Sequence, residues 1–348
     1  MKSTYTAIEV HQFGAPGVMK AVQKPFRPLK HGEALVRVSV AGVSNADVMM
    51  RQGVYLQGPK PPFVPGYDMV GVVEEVDPAV KHIQVGDRVA ALTIIGSFAE
   101  YVYVDAGELH RVPEQADAAE VVALVLNYVT AYQMLLHAAA AKRGETVLVY
   151  GAGGGVGTAL LELGKIHGIH MVGTASPGKH DLITSYGAKA IDHSQPMDGL
   201  QRDLRAAAPG GYDVILEATG GPQFRRSLGL LKKGGRLVLY GVTHRVNSKG
   251  VRSIWKDIHM YANIVPVMAL SRLYGKQALI YSITSWKKKD PQRFANDLQA
   301  LFSLLTEKHI QPVIAGRLPL TEAQQAHERL ERRGVKGKLV LLPGQEGR

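Results

Sequence analysis

The chain has 348 residues, room for about two domains, and its 46% hydrophobic and 20% charged residues exclude a disordered chain. It has no cysteine, which excludes disulfides, cysteine-ligated zinc, iron–sulfur clusters and a cysteine nucleophile. Its 41 Lys and Arg against 30 Asp and Glu give +11, but the basic residues are scattered and lack interleaved aromatics, so a solvated basic surface is expected and no nucleic-acid partner.

The opening residues MKSTYTAIEV lack the apolar core of a signal peptide and the arginine-rich pattern of a transit peptide. No apolar run reaches the roughly 18 residues of a membrane span, so a soluble, cytoplasmic protein is expected. The first third reads as β-rich. Residues 34–40 alternate, with Val36, Val38 and Val40 on one face and Arg37 and Ser39 on the other. Residues 69–76 and 88–92 read as further strands, with a turn at Gly86-Asp87, and the Gly- and Pro-rich stretch 53–66 reads as loop.

The pattern changes near residue 117. Asp117 and Glu120 predict the start of a long apolar helix that runs to about His137. Apolar strands then alternate with helices: strands over 145–150, 170–174, 189–192, 213–218 and 236–241, with a helix over 158–167 after the first. This alternation predicts a parallel sheet covered on both faces. Residues 254–273 are apolar, and Pro266 is expected to break or kink any helix there. Residues 281–286 read as one more strand, 291–308 and 319–332 as helices, and 338–342 as a closing strand.

The segment TVLVYGAGGGVGTALLELGK places a glycine run between a predicted strand and a predicted helix. Ala152, Gly154 and Gly157 take the three small positions of the dinucleotide fingerprint, with Gly153, Gly155 and Val156 between them. Small residues let backbone amides approach a pyrophosphate, and the following helix presents its positive end. An NAD-preferring fingerprint carries Asp or Glu about 20 residues further on. Here the second strand ends through Thr174 to Ser176, with Lys179 beyond. A hydroxyl and an ammonium suit a 2′-phosphate, so NADPH is the expected cofactor.

The stretches AGVSNADVMMRQGVY, PPFVPGYDMVGVVEEV, VGDRVA, LNYVTAYQML, GAGGGVG, GTASPGK and GVKGKLVLLPG follow one another in the order of a known family. On these residues the chain resembles the medium-chain dehydrogenase/reductase superfamily, specifically its zinc-free quinone-oxidoreductase (zeta-crystallin-like) branch. The closing segment and basic character are also similar to the synaptic-vesicle membrane protein branch. The resemblance implies an α/β protein: a GroES-like β-rich catalytic domain over 1–127 and 287–348, and a Rossmann doubly wound parallel sheet over 128–286, with the active site in the cleft. It implies a homodimer formed by edge strands of the Rossmann sheets, with 281–286 as the edge. Asn45 stands where the zinc enzymes have Cys, and Tyr67-Asp68 where they have a His–Glu pair, so the resemblance implies no metal.

Hydride transfer without zinc favours quinones or α,β-unsaturated carbonyls (enones), whose charge delocalises onto oxygen. The family positions available for catalysis are Asn45, Asp47, Tyr55 and Tyr67. Asn45 can donate an amide hydrogen bond to substrate or cap a local turn; the phenols can donate a proton; Asp47 can hold its loop or pair with Arg51; Tyr67 can pack on the nicotinamide. The resemblance places Asn127 and Thr130 near the nicotinamide and its phosphates. Thr219, Gly241, Val242 and Thr243 follow predicted parallel strands, where ligands of open α/β sheets sit. His193 is expected to edge the adenine and Lys338 to reach the cofactor or cap the cleft. The apolar segment 254–273 has three readings: a pocket wall, a dimer interface, or a membrane contact aided by Lys256, Arg272 and Lys276. The rival functions are a membrane-associated or partner-binding protein with little turnover and an enoyl-thioester reductase.

Overall fold

The computed structural model describes residues 3–55, 58–241 and 254–344, without the side chains of 254–263. The described chain divides into two compact units, one from residues 3–126 and 298–344, the other from 127–241 and 254–297.

The first unit is β-rich. Strands β1 (Thr4–Val10) and β2 (Met19–Pro25) form an antiparallel hairpin. A seven-stranded sheet follows, built on β3 (Glu33–Val43), whose buried valines face the core as the alternation predicts. Helix α1 (Asn45–Arg51) leaves β3, and the chain returns through β4 (Asp68–Val76), β5 (Arg88–Ala91), β6 (Tyr101–Asp105) and β7 (His110–Arg111). The strand order is β14-β15-β3-β4-β5-β7, with β6 also on β3; β14 (Ile314–Pro319) and β15 (Lys338–Leu342) come from the far end of the chain. Helices α10 (Pro291–Thr306) and α11 (Ala323–Glu331) lead to these strands.

The helix predicted after Asp117 forms, with the Asp117 carboxylate accepting from the amides of Ala119 and Glu120 at 3.0 and 3.1 Å. Its α-turns α2 (Ala118–Ala123) and α3 (Val129–Tyr132) alternate with π-turns over Leu124–Tyr128 and Gln133–Ala138. Contrary to the expectation, this helix, Ala118–Ala138, is long and apolar enough to cross a membrane; 78% of its most apolar window is buried, as in a core helix.

The second unit is a six-stranded parallel sheet of β8 (Thr146–Tyr150), β9 (His170–Ala175), β10 (Lys189–Asp192), β11 (Tyr212–Glu217), β12 (Leu231–Leu239) and β13 (Gln277–Ile280). The order β10-β9-β8-β11-β12-β13 is the doubly wound 3-2-1-4-5-6 arrangement, which opens a crevice where the order reverses, between β8 and β11. Helices α4 (Gly155–Ile166), α5 (His180–Ser185), α6 (Met197–Ala207), α7 (Gln223–Leu228), α8 (Ile254–Leu273) and α9 (Ile283–Lys289) connect or follow the strands. Leu148, Val172, Ile215 and Leu237 from four neighbouring strands share one core with Phe224 of α7.

Two local expectations are corrected. Residues 281–286 are not a strand: the edge strand is Gln277–Ile280, and Ser282 caps α9 by accepting from the Ser285 amide at 3.4 Å. Tyr281 turns inward, buried, and donates to Gln133 Oε1 at 2.8 Å. Pro266 does not interrupt α8. It lies on the exposed face, where water can serve the carbonyl its missing N–H leaves unbonded.

Candidate active site

The dinucleotide turn comes first. β8 ends at Tyr150, and the chain passes Gly151 to Gly154 before α4 begins. The N-cap is Gly154, extended and without a capping side chain, so no cap side chain covers the first amides of α4. Gly157 cannot be replaced cheaply: a Cβ there would lie 2.4 Å from Gly151 O and 2.6 Å from the Ala152 backbone. Thr174 braces the turn from below, its carbonyl accepting from Ala152 N at 2.9 Å and its hydroxyl from Gly151 N at 3.3 Å. Ala152 and Gly153 are buried, while Gly154, Gly155 and Val156 are half-buried.

Lys179 lies across this turn. A Cβ on Gly153 would sit 2.5 Å from Lys179 Cδ, so the lysine stem packs directly on the glycine backbone. No carboxylate ends β9; Ser176, half-buried, follows it. Exposed His193 follows β10, exposed Thr219 follows β11 and Gly241 follows β12, all at carboxyl ends of strands. Asn127 and Thr130 are buried in the long helix. Val242 and Thr243 lie outside the described residues. An amide-rich turn with few and small side chains, a helix start and an adjacent ammonium fit a dinucleotide.

The four expected catalytic residues lie in the other unit. Ser44, not Asn45, caps α1: its hydroxyl accepts from Asp47 N at 3.2 Å, and Asp47 Oδ2 accepts from Ser44 N at 2.8 Å. Asn45 is exposed at the first helical position. Asp47 is buried and does not pair with Arg51; its Oδ1 accepts from Gly66 N at 3.0 Å, tying α1 to the residue before Tyr67. Arg51 instead meets Glu331 of α11. Burial pushes the Asp47 carboxyl up to about 6, against the Ser44 hydrogen bonds.

The hydroxyls of Tyr55 and Tyr67 are 2.9 Å apart. Tyr67 is buried, and burial also pushes the Tyr55 phenol upward. Tyr55 reaches a cavity of about 290 Å³ lined also by Phe13, Met50, Pro59, Lys60 and Pro61.

Lys338, expected to reach the cofactor or cap the cleft, forms a buried ion pair. Its ammonium donates to Asp68 Oδ1 and Oδ2 at 3.0 and 2.7 Å, with both side chains almost wholly buried. The pair crosses β3 above Gly42, where a Cβ would lie 2.1 Å from Asp68 Oδ1 and 2.4 Å from Lys338 Cε. These donors do not fit zinc. The chain has no cysteine, Asp68 already balances a lysine, and among the described residues no three His, Asp or Glu side chains gather.

Sequence reasoning missed Ser44, although its spacing to Asp47 is that of a capping box. It also missed the Asp68–Lys338 pair, whose partners are 270 residues apart and carry no local signal.

A 3-2-1-4-5-6 nucleotide-binding sheet and a GroES-like β-domain define an oxidoreductase of the medium-chain dehydrogenase/reductase class. The family model for the alcohol dehydrogenase GroES-like domain matches residues 30–114, and that for the zinc-binding dehydrogenase matches residues 186–341. The chain is 31% identical to the quinone oxidoreductase of Homo sapiens over 342 residues, 97% of each protein. It is 30% identical to the synaptic vesicle membrane protein VAT-1 homolog of Danio rerio over 344 residues, covering 97% of this chain and 70% of that one. The Escherichia coli quinone oxidoreductase complexed with NADPH superposes with a TM-score of 0.85 at 26% identity, covering 97% of this chain and 100% of that chain. The chain belongs to the zinc-free quinone-oxidoreductase branch of the superfamily.

Proposed function

We propose that the protein is a zinc-independent, NADPH-dependent reductase of quinones or α,β-unsaturated carbonyls. The observation that carries this reading is the part-buried Tyr55–Tyr67 hydroxyl pair, with Tyr55 lining an apolar cavity. When bound, the cofactor supplies hydride from its reduced nicotinamide. The chain's own residues do the rest. Lys179 and the turn Ala152–Gly157 hold phosphates, and the absence of a carboxylate at the end of β9 favours the 2′-phosphate form. The relatives' quinone oxidoreductase names and the NADPH complex support both halves of the reading.

One phenol donates to the other, which leaves one proton directed to a substrate oxygen as negative charge builds there. The raised Tyr55 phenol stays protonated across neutral pH, as a donor must. Asp47 acts behind the pair by fixing the Gly66 amide, and so the entry of the chain into Tyr67. Phe13 and Met50 exclude water and suit a planar apolar ring.

The test is steady-state oxidation of NADPH with 1,4-benzoquinone and a panel of enones, using long enoyl thioesters as the competing class. Turnover of quinones or enones above thioesters is expected; tight NADPH binding with no turnover across the panel overturns the reading. The protein is further proposed to be a homodimer through the open edge of β13, where Leu273, Tyr274 and Ile280 are exposed. A monomer in sedimentation equilibrium overturns that.

A further inference from the structure

Glu217 ends β11 with its side chain fully buried, and nothing in the proposed chemistry uses it. Its Oε1 accepts from Thr219 N at 2.6 Å and its Oε2 from Ser227 Oγ of α7 at 3.1 Å. The turn it grips continues through Gly220 and Gly221 at φ 92° and 63°, a left-handed backbone that glycine adopts without strain. β11 pairs with β8 in the register Leu216 to Val149. Glu217 therefore comes level with Tyr150, the last residue before the dinucleotide turn, at the crevice where the strand order reverses.

The groups facing the carboxylate are hydrogen-bond donors and phenols. Thr219, Gly220 and Ser227 donate to it, and its charge in turn raises the phenols of Tyr150 on β8 and Tyr240 after β12, which stay neutral. Among the described residues, no ammonium or guanidinium stands among the largest contributors to its balance.

We propose that Glu217 is a positioning residue for the cofactor: its ionised carboxylate sets the turn Thr219–Gly220 for the dinucleotide, and protonation releases that turn and weakens nucleotide binding. The inference rests on the NADPH reading above. Burial pushes this carboxyl up to about 7 against the pull of the Thr219 amide, so the change falls in the neutral range. If only the ionised form binds, the apparent Kd for NADPH is about tenfold weaker at pH 6 than at pH 8. The same shift has a consequence without ligand. A carboxyl raised in the folded state contributes stability below its unfolded value of about 4.5, and loses it as pH rises through 7.

The experiment is a fluorescence titration of NADPH into the wild type, Glu217→Gln and Glu217→Ala across this range, with apo melting curves at each pH. The 2′-phosphate itself titrates near neutrality, so the quantity read is the difference between wild type and variant. Glu217→Gln should bind with the affinity of the acidified wild type and lack the extra pH dependence both in binding and in melting. Glu217→Ala should bind more weakly than Glu217→Gln, which keeps an acceptor for the Thr219 amide. Normal binding with the same pH profile in wild type and Glu217→Gln overturns the proposal alone. A wild type that binds no NADPH at any pH overturns the cofactor reading, and the proposal with it.

Discussion

Lys338→Met isolates the most deeply buried ion pair in the GroES-like unit. The substitution keeps the lysine stem nearly to Cε and removes the ammonium that donates to Asp68 at 2.7 and 3.0 Å. Asp68 is 0% exposed, and Gly42 beneath the pair offers no side-chain group to replace the lysine. Leaving one member of such a pair charged and buried costs about 3–5 kcal/mol. The carboxyl can escape by taking a proton, since burial already pushes it upward and only Lys338 pulls it strongly back. Holding that proton costs about 1.4 kcal/mol for each pH unit above an unfolded value of about 3.9. In the variant the folded carboxyl is therefore raised: its contribution is complete at acid pH and disappears as pH rises. Urea unfolding of wild type and variant should show a small deficit near pH 5 that grows to about 3–5 kcal/mol near pH 8. Adding Asp68→Asn should remove most of the pH dependence. A deficit below about 1 kcal/mol at pH 8, or one equal at both ends, would refute the claim that this pair is a desolvated charge and its counter-charge.

Other substitutions probe the site and its surroundings. Tyr55→Phe and Tyr67→Phe should each lower kcat with an enone by about 10- to 100-fold, with KM little changed, because each removes one hydroxyl of the donor pair. Unchanged turnover in both variants would assign the proton to solvent. Lys179→Glu should weaken NADPH far more than NADH in parallel titrations, since a carboxylate on the glycine turn repels the extra phosphate; equal losses would remove Lys179 from cofactor choice. Ile94 is a β-branched residue at φ 65°, so Ile94→Gly should raise the urea midpoint by the equivalent of about 1 kcal/mol, and a lower midpoint would show that its side chain holds the loop.

What the sequence made legible is what is local. Five of the six strands of the parallel sheet were read from short, mostly apolar runs between turn residues, and the glycine turn announces itself because a Cβ at Gly157 has nowhere to go. The edge of that sheet was misplaced by a few residues for the same reason: Tyr281, Ile283 and Trp286 look strand-like in series, but Ser282 satisfies the amide of Ser285 and turns the chain into a helix. Asn45 against Ser44 is a similar case, settled by which side chain reaches back to the third amide.

The residues that could not be read are those whose roles are set by distant partners. Asp68 and Lys338 carry charges that any surface would accept, and they become costly only because β4 and β15 flank β3 at a residue with no side chain. Glu217 looks like the polar end of an apolar strand until Thr219 and Ser227 donate to it and the phenols of Tyr150 and Tyr240 come within reach of its charge. Burial is decided by the whole sheet, whereas hydrogen-bond capacity is decided by the residue, and proton affinity depends on both. Asp47, Asp68 and Glu217 all carry a carboxyl, yet one staples a loop, one balances a lysine and one is left to its amides. Of the three, Glu217 alone has no cation from the described residues among the main groups that set its proton affinity, which is why the pH dependence of nucleotide binding is expected to follow it.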